Sequence, residues 1–163
     1  MTSSGRTSDS RIRIVPWSEA DRGQLLKIFR RMHEESRYAY LPFEPARVES
    51  ALDSYMRETQ RRCALAAVTG ETVIGALAGY VTEYVFCSEL VASDQIVYVV
   101  PRSRGTLAAA RLIEAFRRWA CERGAREIVL GITTGVDTRR TGELFERLGF
   151  EFAGGNFVQR MSG

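Results

Sequence analysis

The chain has little of what metal sites, disulfide frameworks and membrane spans are built from. Its 163 residues include one histidine, three cysteines and four prolines. Cys63, Cys87 and Cys121 are odd in number, far apart and without a C-x-x-C pair, which argues against a disulfide scaffold and a zinc site. They are expected to be three buried thiols acting as small hydrophobes, with Cys121 on a helix face. No apolar run is long enough for a transmembrane helix. Met1 to Ser10 lacks the apolar core of a signal peptide, so a cytoplasmic protein is expected. That Ser/Thr/Gly-rich stretch reads as a floppy tail, residues 1–10, ahead of a single domain at 11–163.

Lysine is almost absent as well. Lys27 is the single one among 23 basic residues, and the net charge is +3. The arginine doublets (Arg30-Arg31, Arg61-Arg62, Arg117-Arg118, Arg139-Arg140) are scattered along the chain. A nucleic-acid binder concentrates its basic residues, so this class is disfavoured. Most doublets read as solvated faces, with one or two meeting phosphate. Neither a Walker lysine nor a G-x-G-x-x-G is present, which disfavours a nucleotide-binding αβ protein.

What is present is a periodic, globular pattern, 45% hydrophobic and 26% charged. Arg11 to Pro16 alternates as a first strand. Ser18 caps a helix through about Met32, and a second helix starts at Pro45, a good first-turn residue, and runs to Thr59. Cys63–Thr69 and Thr72–Phe86 read as strands joined at Gly70-Glu71, and Ala92–Val100 as another. A helix over Thr106–Arg123, a strand over Glu127–Thr133, a helix over Thr138–Leu148 and two short strands ending near Met161 complete the order. Gly124 and Gly149 stand where helix C-caps belong.

The chemistry concentrates between Val97 and Trp119. A β-branched strand stops at Pro101, a polar turn containing Gly105 follows, and an alanine-rich helix begins. Small residues at its first turn (Thr106, Ala108, Ala109) leave free N–H groups approachable at the positive end of a helix. With Arg102 and Arg104 nearby, this is a seat for phosphate or pyrophosphate. Read alone, the turn fits an ordinary βα crossover equally well.

The same segment resembles motif A of the GNAT superfamily of N-acetyltransferases: Val99-Val100-Pro101 followed by Arg104-Gly105-Thr106-Leu107-Ala108-Ala109. Gly142 to Phe150 is similar to that family's helix-to-strand signature, and the element order is the family's. Met32 to Tyr38 with Leu41-Pro42-Phe43 resembles the helix–helix corner of a subgroup in phages and bacteria. The resemblance implies an α/β fold with a mixed, mostly antiparallel sheet of about seven strands, four flanking helices and a splay at the cofactor cleft. It implies acetyl-CoA as co-substrate, held by Val97, Tyr98, Val99, Arg104, Gly105, Thr106, Leu107, Ala108, Ala109 and Thr138, with no metal. The implied reaction is acetyl transfer to a primary amine of a small molecule or protein, by direct attack in a ternary complex. Leu107 stands at a position the motif gives to glycine. Phe145 replaces the tyrosine that in many members protonates the leaving thiolate, so an acid lies elsewhere or is a water.

Candidate bases are Asp94, one residue from the family's strand-borne carboxylate, Glu83 on the adjacent strand, and His33 at the helix–helix corner. Glu34, Glu35 and Tyr38 are candidates for binding a cationic acceptor. A catalytically silent acyl-CoA-binding domain is the alternative that Leu107 and Phe145 favour. Monomer and homodimer both stay open.

Overall fold

The structure, a computed structural model, describes residues 11–161; the tail expected at 1–10 lies outside them. Five strands form one sheet in sequential order, β1 (Ile12–Pro16), β2 (Arg62–Thr69), β3 (Thr72–Glu83), β4 (Leu90–Val99) and β5 (Ala125–Val129). The first four pair antiparallel and β5 runs parallel to β4. The helices are α1 (Arg22–Glu35), α2 (Pro45–Arg57), α3 (Ala108–Glu122) and α4 (Thr138–Arg147). Short 3-10 turns at Glu19–Asp21 and Pro101–Ser103 lead into α1 and toward α3.

Each face of the sheet has its own apolar layer. Leu25 and Ile28 of α1 and Leu52 and Tyr55 of α2 pack with Ala76, Ala78 and Tyr98 on one side. On the other, Leu112, Ile113, Phe116 and Ala120 of α3 pack with Leu77, Ala92 and Phe145. The spacing of the α3 residues at steps of three and four turns one stripe of that helix toward the strands. Gly124 (φ 74°) and Gly149 (φ 88°) end α3 and α4 in the left-handed conformation expected of glycine C-caps.

Three sequence expectations are corrected. Ser18 caps the 3-10 turn, its hydroxyl donating to Asp21 at 2.6 Å, and the α-helix starts only at Arg22. Two of the three cysteines are exposed: Cys87 lies in the β3–β4 connection, and Cys121 faces solvent because the α3 stripe passes through Phe116 and Ala120 instead. The two strands expected before Met161 do not form, so the sheet has five strands, not about seven. Residues 151–161 are all exposed, and Gly154-Gly155 interrupts their alternation after Phe152. A two-stranded hairpin without a third strand or a helix to cover it is marginal.

Glycines in β3 let α3 lie close to the sheet. A Cβ at Gly79 would stand 2.5 Å from the Phe116 ring and 3.0 Å from the Ser93 carbonyl. Gly79→Ala is therefore expected to cost about 1–3 kcal/mol through overpacking. In urea unfolding, Phe116→Leu placed in the Gly79→Ala background should recover part of that loss. Simple addition of the two single costs would show that the ring contact is not the cause.

Candidate active site

The site begins where β4 and β5 part. Their ladder runs from Leu90↔Ala125 to Ser93↔Val129 and then stops. One residue later β4 carries an irregularity: Gly79 of β3 pairs with Asp94, the next residue of β3 in reverse order, Ala78, pairs with Ile96, and Gln95 is passed over. Such a bulge turns the strand and ends its pairing on one side. Gln95 is fixed outward by its side-chain carbonyl, which accepts the Tyr55 hydroxyl of α2. Beyond Ser93, β4 keeps β3 on one edge, while its other edge, through Val97, Tyr98 and Val99, faces the gap left by β5.

Asp94 sits at the apex of this gap. Its Oδ1 accepts the Gly131 N–H at 2.8 Å, spanning the two diverging strands. Burial pushes its carboxyl up from the usual 3.8 to about 6, outweighing the hydrogen bond from Gly131, which favours the charged form.

At the far end of β4 the chain makes the turn anticipated as a phosphate seat. Gly105 adopts φ 86°, and a Cβ there would lie 3.0 Å from Nη2 of Arg140, in the first turn of α4. Leu107 has φ −77° and immediately precedes α3, so the left-handed residue of this turn is Gly105 and the leucine is unstrained. The Thr106 hydroxyl donates to the Ser103 carbonyl at 2.7 Å and accepts the Ala108 N–H at 3.3 Å, ordering the entry to the helix. The first-turn amides of α3, with Ala108 and Ala109 contributing no bulk, are the groups an anion meets here.

Arg104 is turned away from that seat. Its Nε donates to the Val99 carbonyl at 3.0 Å, its guanidinium lies against the Tyr98 ring at 5.4 Å, and Nη2 pairs with Glu35 at the end of α1. Burial works to raise the Glu35 carboxyl, but contacts from Arg104 and Arg31 prevail and hold it below the ordinary range. The Tyr98 hydroxyl is buried beside Glu35, and burial together with that carboxylate pushes it up to about 12.

The remaining candidates fall in different places. Glu83 pairs with Leu90 at the exposed end of β3, four positions along β4 from Asp94, about 13 Å at strand rise. His33 Nε2 shares a hydrogen bond with the Leu41 carbonyl at 3.0 Å and its ring packs on Phe43. This closes the α1–α2 corner and sets the histidine among local structure, not beside Asp94. His33 and Tyr38 line a cleft between α1 and α2 with Met32, Phe43, Glu44 and Arg47. Glu34 and Glu35 instead line a separate depression along α1 with Lys27, Arg30 and Arg31, where cations outnumber anions. Thr138 is the exposed first residue of α4, after Asp137 in the left-handed conformation (φ 42°). Phe145 is 8% exposed and packs on Phe150, so it is a core residue.

Arg37 is a residue that sequence reasoning missed. Its N–H donates to the Thr134 carbonyl at 2.8 Å, its Nε to the Thr133 carbonyl, and its Nη2 to the Tyr38 hydroxyl at 2.9 Å. It ties the α1–α2 corner to the segment that follows β5, across the mouth of the gap. A single arginine between Ser36 and Tyr38 carries no spacing signal. Arg140 had one, as half of a doublet at a helix start, but proximity to Gly105 is visible only in three dimensions.

Because the native carboxyl of Asp94 binds its proton more tightly than an unfolded one, its ionisation opposes folding. This contribution is absent below pH 4, grows as pH rises toward 6 and is fully present above it. Asp94→Asn should flatten that fall in stability between pH 4 and 6, read as urea midpoint against pH. Parallel profiles for variant and parent would place the Asp94 carboxyl in the ordinary range.

Residues 24–150 match the family model described as the acetyltransferase (GNAT) family. No curated protein matches the chain. Among solved structures, it resembles a transcriptional regulator from Bacillus halodurans C-125 at 20% identity, covering 92% of this chain and 99% of the other with a TM-score of 0.75. It also resembles AAC(6')-Iy, solved with the bisubstrate analogue CoA-S-monomethyl-acetylneamine, at 18% identity, 93% and 99% coverage and a TM-score of 0.72. A third is aminoglycoside 6'-N-acetyltransferase AAC(6')-IG from Acinetobacter haemolyticus, at 21% identity, 93% and 97% coverage and a TM-score of 0.68. At such identities these likenesses speak for the fold, and the match over most of the chain speaks for descent: the parted strands β4 and β5 and the Gly105 turn are those of a member of the GNAT acetyltransferase family.

Proposed function

We propose that this chain is an N-acyltransferase that moves an acetyl group from acetyl-CoA to a primary amine within a ternary complex. The observation that carries this reading is the gap between β4 and β5, with a half-buried carboxyl at its apex and a glycine turn at its end. The residues fit the co-substrate on their own geometry. The turn is kept free of a side chain at Gly105, is bordered by Arg140 and opens on the α3 N-terminus, which suits a pyrophosphate. The open edge of β4 over Val97, Tyr98 and Val99 offers backbone donors and acceptors for the amides of a pantetheine arm. Bound there, acetyl-CoA supplies a thioester, an acyl carbon activated toward amines.

The chain's own residues do the remaining work. Asp94 takes a proton from the acceptor ammonium, directly or through a water, and a carboxyl raised to about 6 ionises below neutrality while remaining a useful base. The amide N–H near Val99 stabilises negative charge on the acyl oxygen. Arg37 holds the corner that carries Tyr38 against Thr133 and Thr134, keeping the acceptor side at a fixed distance from the gap. Of the acceptor candidates, Tyr38 lines the α1–α2 cleft, whose Glu44 is an additional carboxylate for a cationic amine. Glu35 serves chiefly to hold Arg104. With Phe145 in the core, the leaving thiolate takes its proton from water.

Phe145 also favours a second reading, a GNAT-fold domain that binds acyl-CoA without turnover. Free-thiol release from acetyl-CoA against a panel of polyamines, aminoglycosides and N-terminal peptides separates the two. Release marks the enzyme, whereas thermal stabilisation by CoA without release marks the silent domain.

Two substitutions test the site. Gly105→Glu places bulk and negative charge at the pyrophosphate seat and should abolish CoA binding by calorimetry while the fold, seen by circular dichroism, is kept; unchanged affinity would refute the placement. Asp94→Asn should lower kcat by roughly 10²–10⁴-fold, the usual worth of a general base. The CoA dissociation constant should be nearly unaltered. If the variant keeps the parent's rate across pH 5–9, the base is another group.

A further inference from the structure

The end of α1 is attached to both sides of the parted strands. Glu35, its last residue, pairs with Nη2 of Arg104, whose Nε donates to the Val99 carbonyl at 3.0 Å, the end of β4. Arg37 donates its N–H to the Thr134 carbonyl at 2.8 Å and its Nε to the Thr133 carbonyl, past the end of β5. A Cβ on Gly135 would stand 3.7 Å from that of Arg37, so the arginine is seated against this segment. Both attachment points lie beyond the last rung of the β4–β5 ladder at Ser93 and Val129.

The residue between them is fixed. Ser36 is 7% exposed, and its hydroxyl donates to the His33 carbonyl at 3.0 Å and accepts the Tyr38 N–H at 3.2 Å. Its carbonyl accepts the Ala39 N–H at 3.1 Å. A buried hydroxyl used both as donor and as acceptor holds the backbone on either side of it. The end contacts convey position more than stability. The Glu35–Arg104 pair keeps 25% and 31% of its side-chain surfaces exposed, and so exposed an ion pair adds little to folding. A planar guanidinium bound by two partners still has a defined place: Arg104 between Val99 and Glu35, Arg37 between Thr133 and Tyr38.

We propose that Glu35 and Arg37 are positioning residues, the two ends of a brace that sets the separation of β4 from the segment after β5 and so the width of the gap. The Asp94–Gly131 bond holds the apex, and the brace holds the mouth. Arg104 is spent on the brace and not on a phosphate. That the gap receives acyl-CoA rests on the function proposed above, whereas the bracing of its two sides does not.

The reporter is the Gly131 amide, whose bond to Asp94 crosses the gap and involves neither Glu35 nor Arg37. In hydrogen exchange on the full chain without ligand, Glu35→Ala and Arg37→Ala should each speed exchange at Gly131 by about tenfold. The double variant should be no faster than the quicker single one, because a brace freed at one end transmits nothing to the other. Glu35→Gln keeps an oxygen for Arg104 and should restore most of the protection. Affinity for CoA, read by calorimetry, should fall in the same order and by about tenfold in each single alanine variant, with urea midpoints close to the parent's. Unaltered Gly131 exchange in Glu35→Ala, or effects that multiply in the double variant, would overturn the brace. A parent chain that binds no CoA would sink the acyl-CoA reading, and Gly131 exchange would still decide for or against the brace.

Discussion

The candidate site, and the function proposed for it, depend on one interrupted ladder. Parallel pairing between β4 and β5 lasts for four registers and stops at Ser93 and Val129. Had it continued, the backbone of Val97, Tyr98 and Val99 would be spent on the sheet, and Asp94 would be one more strand residue facing a helix. The interruption is held open by two contacts of different kinds. Tyr55 fixes the bulged Gln95 from the α1–α2 side, and Asp94 reaches over to Gly131, just past the end of β5. A carboxylate half-withdrawn from water is a costly spacer, and its raised affinity for a proton reflects that cost.

Much of the fold was legible because hydrophobic periodicity and capping residues are local. The helices at Arg22, Pro45, Ala108 and Thr138 and the strands between Ile12 and Val129 follow from spacing alone, within a few residues at their ends. Two errors share a different origin. Cys121 looked buried because a helix face predicts burial only when its angle to the sheet is known, and that angle is fixed by Phe116 fitting over Gly79. The strands near Met161 looked secure because alternation marks the capacity to pair; it does not supply a partner.

The site was legible in part for the same reason. The Gly105 turn is a contiguous stretch that carries a motif, and its geometry moves the demand for a left-handed residue from position 107 to Gly105 itself. Arg37, Arg140 and the bulge at Gln95 act through partners 96, 35 and 40 residues away, distances at which a sequence gives no spacing to read. Glu35 carries a contact of the same kind, since it pairs with Arg104 of the turn 69 residues away.

The run of small residues in β3 has a mechanical consequence. Gly75 and Gly79 flank Leu77 on the α3 face, and Ala76 and Ala78 face α1 and α2, so helices on both faces lie close to the centre of the sheet. A plate clamped from both sides is stiff. β5, pinned to it by a short ladder and covered on one flank alone, is the compliant member. Strain from a bulky occupant of the gap would therefore be shed into β5, α4 and the Arg37 tie, while the β4 edge keeps its shape.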